Sequence, residues 1–207
     1  MDRLVDWHWG IDTVTSAALS EKSGKFDDNG VNSSVSYYIL FRWLGRTVLK
    51  PDGVLYDIGC GYGRVLCHAA RQGISKAVGV ELSPAFADKA RANARTLRRR
   101  LSPIEVRSGD AVDMDYADGT AFFLYDPFGS ETLRSVLDRI RRTTSGSPRP
   151  LRFIYLPCPL LRPPRVRMAQ ARRDEEGPPL APTDGDLDAR GLKAPAAASF
   201  VALYHPP

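Results

Sequence analysis

An α/β fold, built on a mostly parallel sheet with helices on both faces, is predicted by three features of the sequence. From residue 54 to about 156, short apolar runs alternate with amphipathic segments of helical period, the pattern of repeated strand–helix–strand crossovers. The run TAFFLYD (Thr120–Asp126) is apolar enough for a central strand buried on both faces. Between the first strand and the first crossover helix stands YDIGCGYGR (Tyr56–Arg64), with glycines at 59, 61 and 63. A glycine-rich turn in that context cradles a nucleotide-like ligand.

Taken in order, SSVSYYILFRWLGRTVL predicts a helix capped by Ser33 or Ser34 and packed on the first strand. VLYDI (Val54–Ile58) is that strand. A helix from Arg64 to about Gln72 follows the glycine turn and stops at Gly73. AVGVE (Ala77–Glu81) is the second strand. Ser83 and Pro84 then supply the cap and first-turn proline of a long helix whose buried stripe is Phe86, Ala90, Leu97 and Leu101. IEVRSGD (Ile104–Asp110) is the third strand with its exit, and TAFFLYD is the fourth. Ser130 is expected to cap a helix with Leu133, Val136, Leu137 and Ile140 inward, and LRFIYL (Leu151–Leu156) is the fifth strand. SFVALYH (Ser199–His205) returns to the sheet as a last strand. Strands joined by helices of this length lie parallel, with right-handed crossovers.

The domain division that follows is an N-terminal lid segment and capping helix (1–50), a ligand-binding core (51–158), an insertion (159–197) and a terminal strand (198–207). The insertion is rich in proline, arginine and aspartate and poor in apolar side chains, so it is expected to be flexible or disordered. Trp7, His8, Trp9, Asp12 and Thr13 either close over the site or simply dock on the core. Tyr37 and Tyr38 either face the ligand or, on an amphipathic helix, one of them simply belongs to the core, and His68 is a packed or surface histidine rather than a base.

Length and composition set the outer bounds. A chain of 207 residues with 43% hydrophobic and 26% charged residues can bury one sizeable core. No run of about 18 apolar residues suggests a membrane span, and the acidic N-terminus lacks the apolar centre of a secretory signal. Three cysteines, Cys60, Cys67 and Cys158, show no metal-ligand spacing, so no metal is expected and a reducing cytoplasm is the predicted location. The net charge of +5 is carried largely by arginines in RANARTLRRRL and DRIRRTTSGSPRPLR. Such a patch attracts RNA, DNA or an acidic protein, or is a solvated helix face. Without interleaved aromatics, the solvated face is the expected reading.

The spacing of the turn selects among cofactors. A nicotinamide-binding turn requires G-x-G-x-x-G, but the third glycine would fall at position 64, which is arginine. A phosphate loop requires Gly-Lys-Ser/Thr, which is lacking. VLYDIGCGYGR resembles instead the first motif of class I S-adenosylmethionine-dependent methyltransferases. That resemblance implies a Rossmann-like sheet of strand order 3-2-1-4-5 plus a C-terminal strand. It also implies that Asp57 orients the cofactor's ammonium end and that Gly59 and Gly61 let the backbone approach its methionine part. The amides at the following helix start, after Gly63, would face the ligand's carboxylate. Glu81, about 18 residues after Gly63, would accept from both ribose hydroxyls, a feature that NAD enzymes share. Asp110 would contact the adenine amino group, or else simply cap a turn. Cys60, Leu82, Ala111 and Tyr125 complete the implied cofactor-binding set.

The likeness extends through WGIDT, VNSSVSYYILFR, VGVELSP, GDAVD and FFLYDPFG to small bacterial methyltransferases, over roughly residues 8–158. More distantly, the chain is similar to the non-SET protein-lysine methyltransferases. LYDPFG resembles the Asp/Asn-Pro-Pro-Tyr/Phe signature of amino-methyltransferases, which implies catalytic roles for Asp126, Pro127 and Phe128. One proline is missing, so the ring is shifted by one residue; a plain strand-to-helix turn is the competing reading. The expected activity is methyl transfer to an acceptor, a nitrogen by preference, in a protein, small molecule or RNA. A protein-lysine methyltransferase and a non-catalytic S-adenosylmethionine-binding domain are the alternatives. An NAD-dependent oxidoreductase is disfavoured by the glycine spacing and by the lack of a Tyr-x-x-x-Lys pair.

Overall fold

The computed structural model describes residues 1–14, 34–45, 49–125, 127–147 and 149–156, and residues 200–204 as backbone alone. Six strands, β1 (Val54–Ile58), β2 (Lys76–Glu81), β3 (Ile104–Ser108), β4 (Ala121–Tyr125), β5 (Leu151–Leu156) and β6 (Phe200–Tyr204), form one sheet. Their order is β3-β2-β1-β4-β5-β6, parallel throughout except for β6, which runs antiparallel to β5. Five helices accompany them: α1 (Asp2–Trp9), α2 (Tyr37–Trp43), α3 (Arg64–Ala70), α4 (Pro84–Thr96) and α5 (Ser130–Thr144). A single 3-10 turn, Ala111–Asp113, follows β3. The expected insertion, 159–197, lies outside the described residues, as do Ser33, Cys158 and Asp126.

Alternation along the strands divides the core in two. Leu55, Ala77, Ala121, Phe123 and Ile154 face Val65, Leu66 and Ala69 of α3 and Ala90 of α4, with Tyr37 and Leu40 of α2 in the same cluster. On the other face Tyr56, Val78, Val80, Phe122 and Leu124 pack with Val136 and Ile140 of α5 and with Tyr116. The chain passes outward from β1 to β2 to β3 and then returns to place β4 on the other side of β1. The crevice at that reversal, beyond the strand ends, is where open α/β sheets bind ligands. The register aligns these ends: Ile58 lies opposite Val80 and Leu124, and Glu81 opposite Ser108.

Several local expectations are corrected. The inner face of α4 is Ala87, Ala90, Asn93 and Ala94, because small side chains let this helix approach α3 and the sheet closely. Leu97 is buried just past the helix, Leu101 is largely exposed, and Phe86 is only half-buried, meeting Tyr62 edge to face. On α5, Leu137 faces outward and Thr144 inward. Ser130 is the first residue of α5 and Gly129 its cap, with no side-chain capping bond. Likewise Ser36, not Ser34, precedes α2; the Ser34 hydroxyl donates to the Thr13 carbonyl at 2.6 Å. β3 ends at Ser108, where Gly109 turns the chain. Ser83 caps α4 through the Phe86 amide as expected, and Gly73 takes a positive φ after α3. No helix among the described residues is long and apolar enough to cross a membrane.

Candidate functional site

The turn after β1 takes its shape from backbone sterics. Gly59, Gly61 and Gly63 all have positive φ, at 78°, 52° and 81°, a region that disfavours every residue with a Cβ. The amides of Gly59 and Cys60 both donate to the Val80 carbonyl, at 2.9 and 3.1 Å, so the turn is tied to the end of β2. A Cβ on Gly59 would lie 2.8 Å from Cβ of Pro127. The segment after β4 therefore rests directly on the turn after β1, across the sheet's switch point. Gly63 serves a different purpose: its missing Cβ admits Ala90 of α4, which would lie at 3.2 Å.

Glu81 closes the turn from the other side. Its carboxylate accepts from the Gly61 amide at 2.8 Å and from the Ser83 amide at 3.0 Å. Burial raises its pKa, with the amides of Ser83, Gly61 and Leu82 pulling the other way. Asp57, at the end of β1, is 3% exposed, and its Oδ2 has no hydrogen-bond partner. Burial holds its carboxyl well above the usual carboxylate range, and the neighbouring Glu81 charge adds to the shift. A buried acceptor left without a donor carries a free-energy cost of about 1–3 kcal/mol. It fits a ligand that brings a cation or an N–H to this position.

The remaining predicted residues sort by position. Cys60 contributes its backbone alone, since its buried thiol lies beneath β2 where Gly79 makes room. Burial pushes that thiol up, which makes it a poor nucleophile. Leu82 is 38% exposed at the mouth of the site. The Gly109 amide donates to the Glu81 carbonyl at 2.9 Å, bringing the β3 exit beside the β2 end. Asp110 is exposed and caps the 3-10 turn through the Val112 amide at 3.1 Å, as its competing reading proposed. Ala111 is buried, its carbonyl accepting from Tyr116. Tyr125 is half-buried at the end of β4, and Phe128 packs partly onto the α5-side core. Asp126 lies outside the described residues. Among the described residues no group of three or more His, Cys, Asp or Glu side chains could hold a metal ion.

Three residues that the sequence did not single out organise the N-terminal segment around this turn. Arg64, 4% exposed at the start of α3, donates to the Thr13 hydroxyl at 2.7 Å, to Asp2 at 2.7 Å and to the Val35 carbonyl at 2.9 Å. Its guanidinium also stacks 4.8 Å from the Tyr37 ring centroid. Asp6 accepts from the Thr13 amide and from the Tyr37 hydroxyl, both at 2.6 Å, and burial raises the Tyr37 phenol. Asn93 of α4 exchanges hydrogen bonds with the Asp12 backbone and donates to the Tyr62 carbonyl, each at 2.9 Å. Residues 1–13 thus dock on the turn and on α3 and α4, and Tyr37 is the core member of its pair while Tyr38 is exposed. His68 is packed between Trp9 and Phe41 with Nε2 on the Leu44 carbonyl; burial lowers its pKa.

Residues 55–145 match the family model described as a methyltransferase domain. The chain is 31% identical over 129 residues to indolepyruvate C-methyltransferase of Streptomyces griseus, covering 55% of this chain and 39% of that protein. It is 26% identical over 138 residues to the H3 lysine-79 specific histone-lysine N-methyltransferase of Dictyostelium discoideum, covering 60% of this chain and 7% of that one. It therefore spans less than half the length of either curated relative. Among solved structures, an RNA methyltransferase from Salinibacter ruber in complex with S-adenosyl-L-homocysteine is 26% identical, with a TM-score of 0.47 over 59% of this chain and 78% of that one. Residues 55–145 match a methyltransferase domain, and the glycine motif and strand order are those of the class I, S-adenosylmethionine-dependent kind.

Proposed function

We propose that this chain transfers the methyl group of S-adenosylmethionine to an acceptor nitrogen. The observation that carries the reading is the packing of Pro127 on Gly59, which joins the acceptor-side segment after β4 to the turn that would hold the methyl donor. When bound, the cofactor supplies a sulfonium methyl open to in-line attack, and what the protein adds is chiefly alignment, worth up to about 7–11 kcal/mol in favourable cases. Asp57 would pair with the ammonium group, and the backbone of Gly59, Cys60 and Gly61 would follow the methionine part. Glu81, while bonded to Gly61 and Ser83, retains lone pairs for the ribose hydroxyls. Leu82, Asp110 and Ala111 would border the adenine, and Tyr125 the methyl group. The Asp126 side chain and the Pro127 carbonyl would accept hydrogen bonds from the target nitrogen, and the Phe128 ring would border its approach.

A protein lysine is the second reading of the acceptor, supported by the similarity to the H3 lysine-79 enzyme. Isotopically labelled cofactor incubated with a cell extract separates these outcomes: label entering protein supports lysine, and label entering small metabolites or RNA supports those acceptors. Buried, unpaired Cys60 and Cys67 suit a reducing compartment such as the cytoplasm.

Calorimetry tests the cofactor reading directly. S-adenosylmethionine and S-adenosylhomocysteine are expected to bind and NAD is not; folded protein that binds neither of the first two overturns the proposal. Glu81→Ala should weaken binding by about 1–3 kcal/mol, through lost hydrogen bonds to ligand and turn. The raised pKa values of Asp57 and Glu81 mean that the folded, ligand-free protein holds protons more tightly than the unfolded chain. Its stability should therefore fall as pH rises from the ordinary carboxylate range, about 4, through the raised values. A ligand cation favours ionised Asp57, so binding should release protons. Heats measured in two buffers of different ionisation enthalpy will then differ; identical heats would remove Asp57 as the ammonium partner.

A further inference from the structure

The arginine-rich stretch after α4 is exposed, as expected, and also meets the end of α1. Arg98 donates its amide to the Trp9 carbonyl at 2.8 Å and its guanidinium to the Trp7 and His8 carbonyls, each at 3.4 Å. Arg71, just past α3, lies 4.5 Å from the Trp9 ring centroid and donates to the Arg98 carbonyl. Arg99 follows with φ 55° and is the one non-glycine residue with positive φ among the described residues. That left-handed backbone is costly for an arginine and marks a position held for a reason. Arg99 lies near enough for its charge to disfavour the charged form of Arg71, alongside the larger effect of burial. Among the described residues, no carboxylate forms an ion pair with Arg71, Arg98 or Arg99.

Two exposed aromatic residues adjoin these charges: the Trp7 carbonyl meets the Arg98 guanidinium, and Phe41 packs on Trp9, whose ring Arg71 covers. Trp7 is 74% exposed, one turn from Leu4 at 71%. Phe41 is 46% exposed and meets Trp9 at 6.0 Å. Large apolar side chains this open, grouped beside cations that have no carboxylate partner among the described residues, mark an interaction surface. The charge complementarity calls for a polyanion. The aromatic faces select one whose bases are unpaired, because bases stacked within a duplex offer no face to Trp7.

We propose that the surface formed by Trp7, Phe41, Arg71, Arg98 and Arg99 binds single-stranded nucleic acid, with the arginines on phosphates and Trp7 stacked on a base. The surface lies at the far end of α3 from the glycine turn, about 10 Å along a seven-residue helix. It is therefore separate from the methyl-transfer site and does not depend on which acceptor that site uses.

Fluorescence anisotropy with a labelled single-stranded oligouridylate of about 15 nucleotides tests the proposal. Binding is expected at 50 mM salt, and three phosphate contacts predict about a 20-fold loss of affinity at 200 mM. Trp7→Ala should weaken binding about 5- to 100-fold, and the change in total tryptophan emission on binding should be seen in the wild type and largely lost in that variant. Arg99→Gly removes a charge while relieving the positive φ, so its fold should be retained or improved as affinity falls severalfold. The proposal is overturned by absence of binding at 50 mM salt. It is equally overturned if an oligouridylate–oligoadenylate duplex or polyglutamate binds as tightly as the single strand, or if neither substitution alters affinity.

Discussion

Arg64→Ala is expected to cost about 3–5 kcal/mol of folding stability, measured by urea unfolding, because it removes the cation from a buried charged network. Arg64 and Asp6 are 4% and 3% exposed. Without the guanidinium, Asp6 keeps the Thr13 and Tyr37 donors but loses the nearby cation at 3.9 Å. Asp2 loses its 2.7 Å partner, and the Val35 carbonyl loses its donor. Arg64→Met, which keeps much of the stem's packing, should recover only a small part of the loss. Combining Arg64→Met with Asp6→Asn should recover more than additivity allows, since the second change removes the stranded charge. A loss below about 1 kcal/mol would place the network in the class of solvent-screened pairs. Because Arg64 follows Gly63 directly, the same substitution loosens the hold of residues 1–13 on the turn, leaving Asn93 to bridge Asp12 and Tyr62, and cofactor affinity should fall with stability.

The residues legible in the sequence and those that were not differ by the range of their interactions. Strand positions and the glycine turn follow from local periodicity and from spacing within nine residues, so β1 and β5 match their expected bounds and the strand order follows the motif's resemblance. Glu81 and the Asp57–Glu81 neighbourhood were legible because parallel pairing puts successive strand ends side by side. The network of Arg64, Asp6 and Asn93 was not. Its bonds join residues 31, 51, 62 and 81 positions apart, and a polar side chain carries no period that announces a distant partner. Arg64 read as the residue that broke a dinucleotide motif; in the fold it is the anchor of the N-terminal segment. Helix faces were misassigned where hydrophobicity was used without size. Leu101 and Leu137 are exposed, while Ala87, Ala90 and Ala94 do the close packing on α4. Arg98, Arg99 and Arg100 are exposed, as the solvated-face reading expects, but the contact of the Arg98 guanidinium with the Trp7 carbonyl, 91 positions away, appears only in the fold.

Gly59→Ala should lower methyl transfer by at least about 100-fold, the scale on which a displacement of about 1 Å in positioning acts. Two effects combine at this residue. Its φ of 78° costs an L-residue roughly 1–2 kcal/mol. The new Cβ would also stand 2.8 Å from Cβ of Pro127, closer than real carbon contacts, and Pro127 is a rigid ring that cannot swing aside by a rotamer change. Either the turn moves off the Val80 carbonyl that holds it, or the segment after β4 moves outward; both separate donor from acceptor. Gly63→Ala is the informative comparison. Its φ of 81° brings a similar backbone penalty, but its Cβ meets Ala90 of α4 at 3.2 Å, on the side away from Pro127. That variant should lose stability and some affinity, while single-turnover transfer from its loaded form falls far less than in Gly59→Ala. Melting temperature, S-adenosylhomocysteine affinity and single-turnover rate, measured for both variants, separate the two outcomes. Equal losses of single-turnover rate would mean that the contact between Gly59 and Pro127 has no special part in aligning the reaction, and that the turn acts only by its shape.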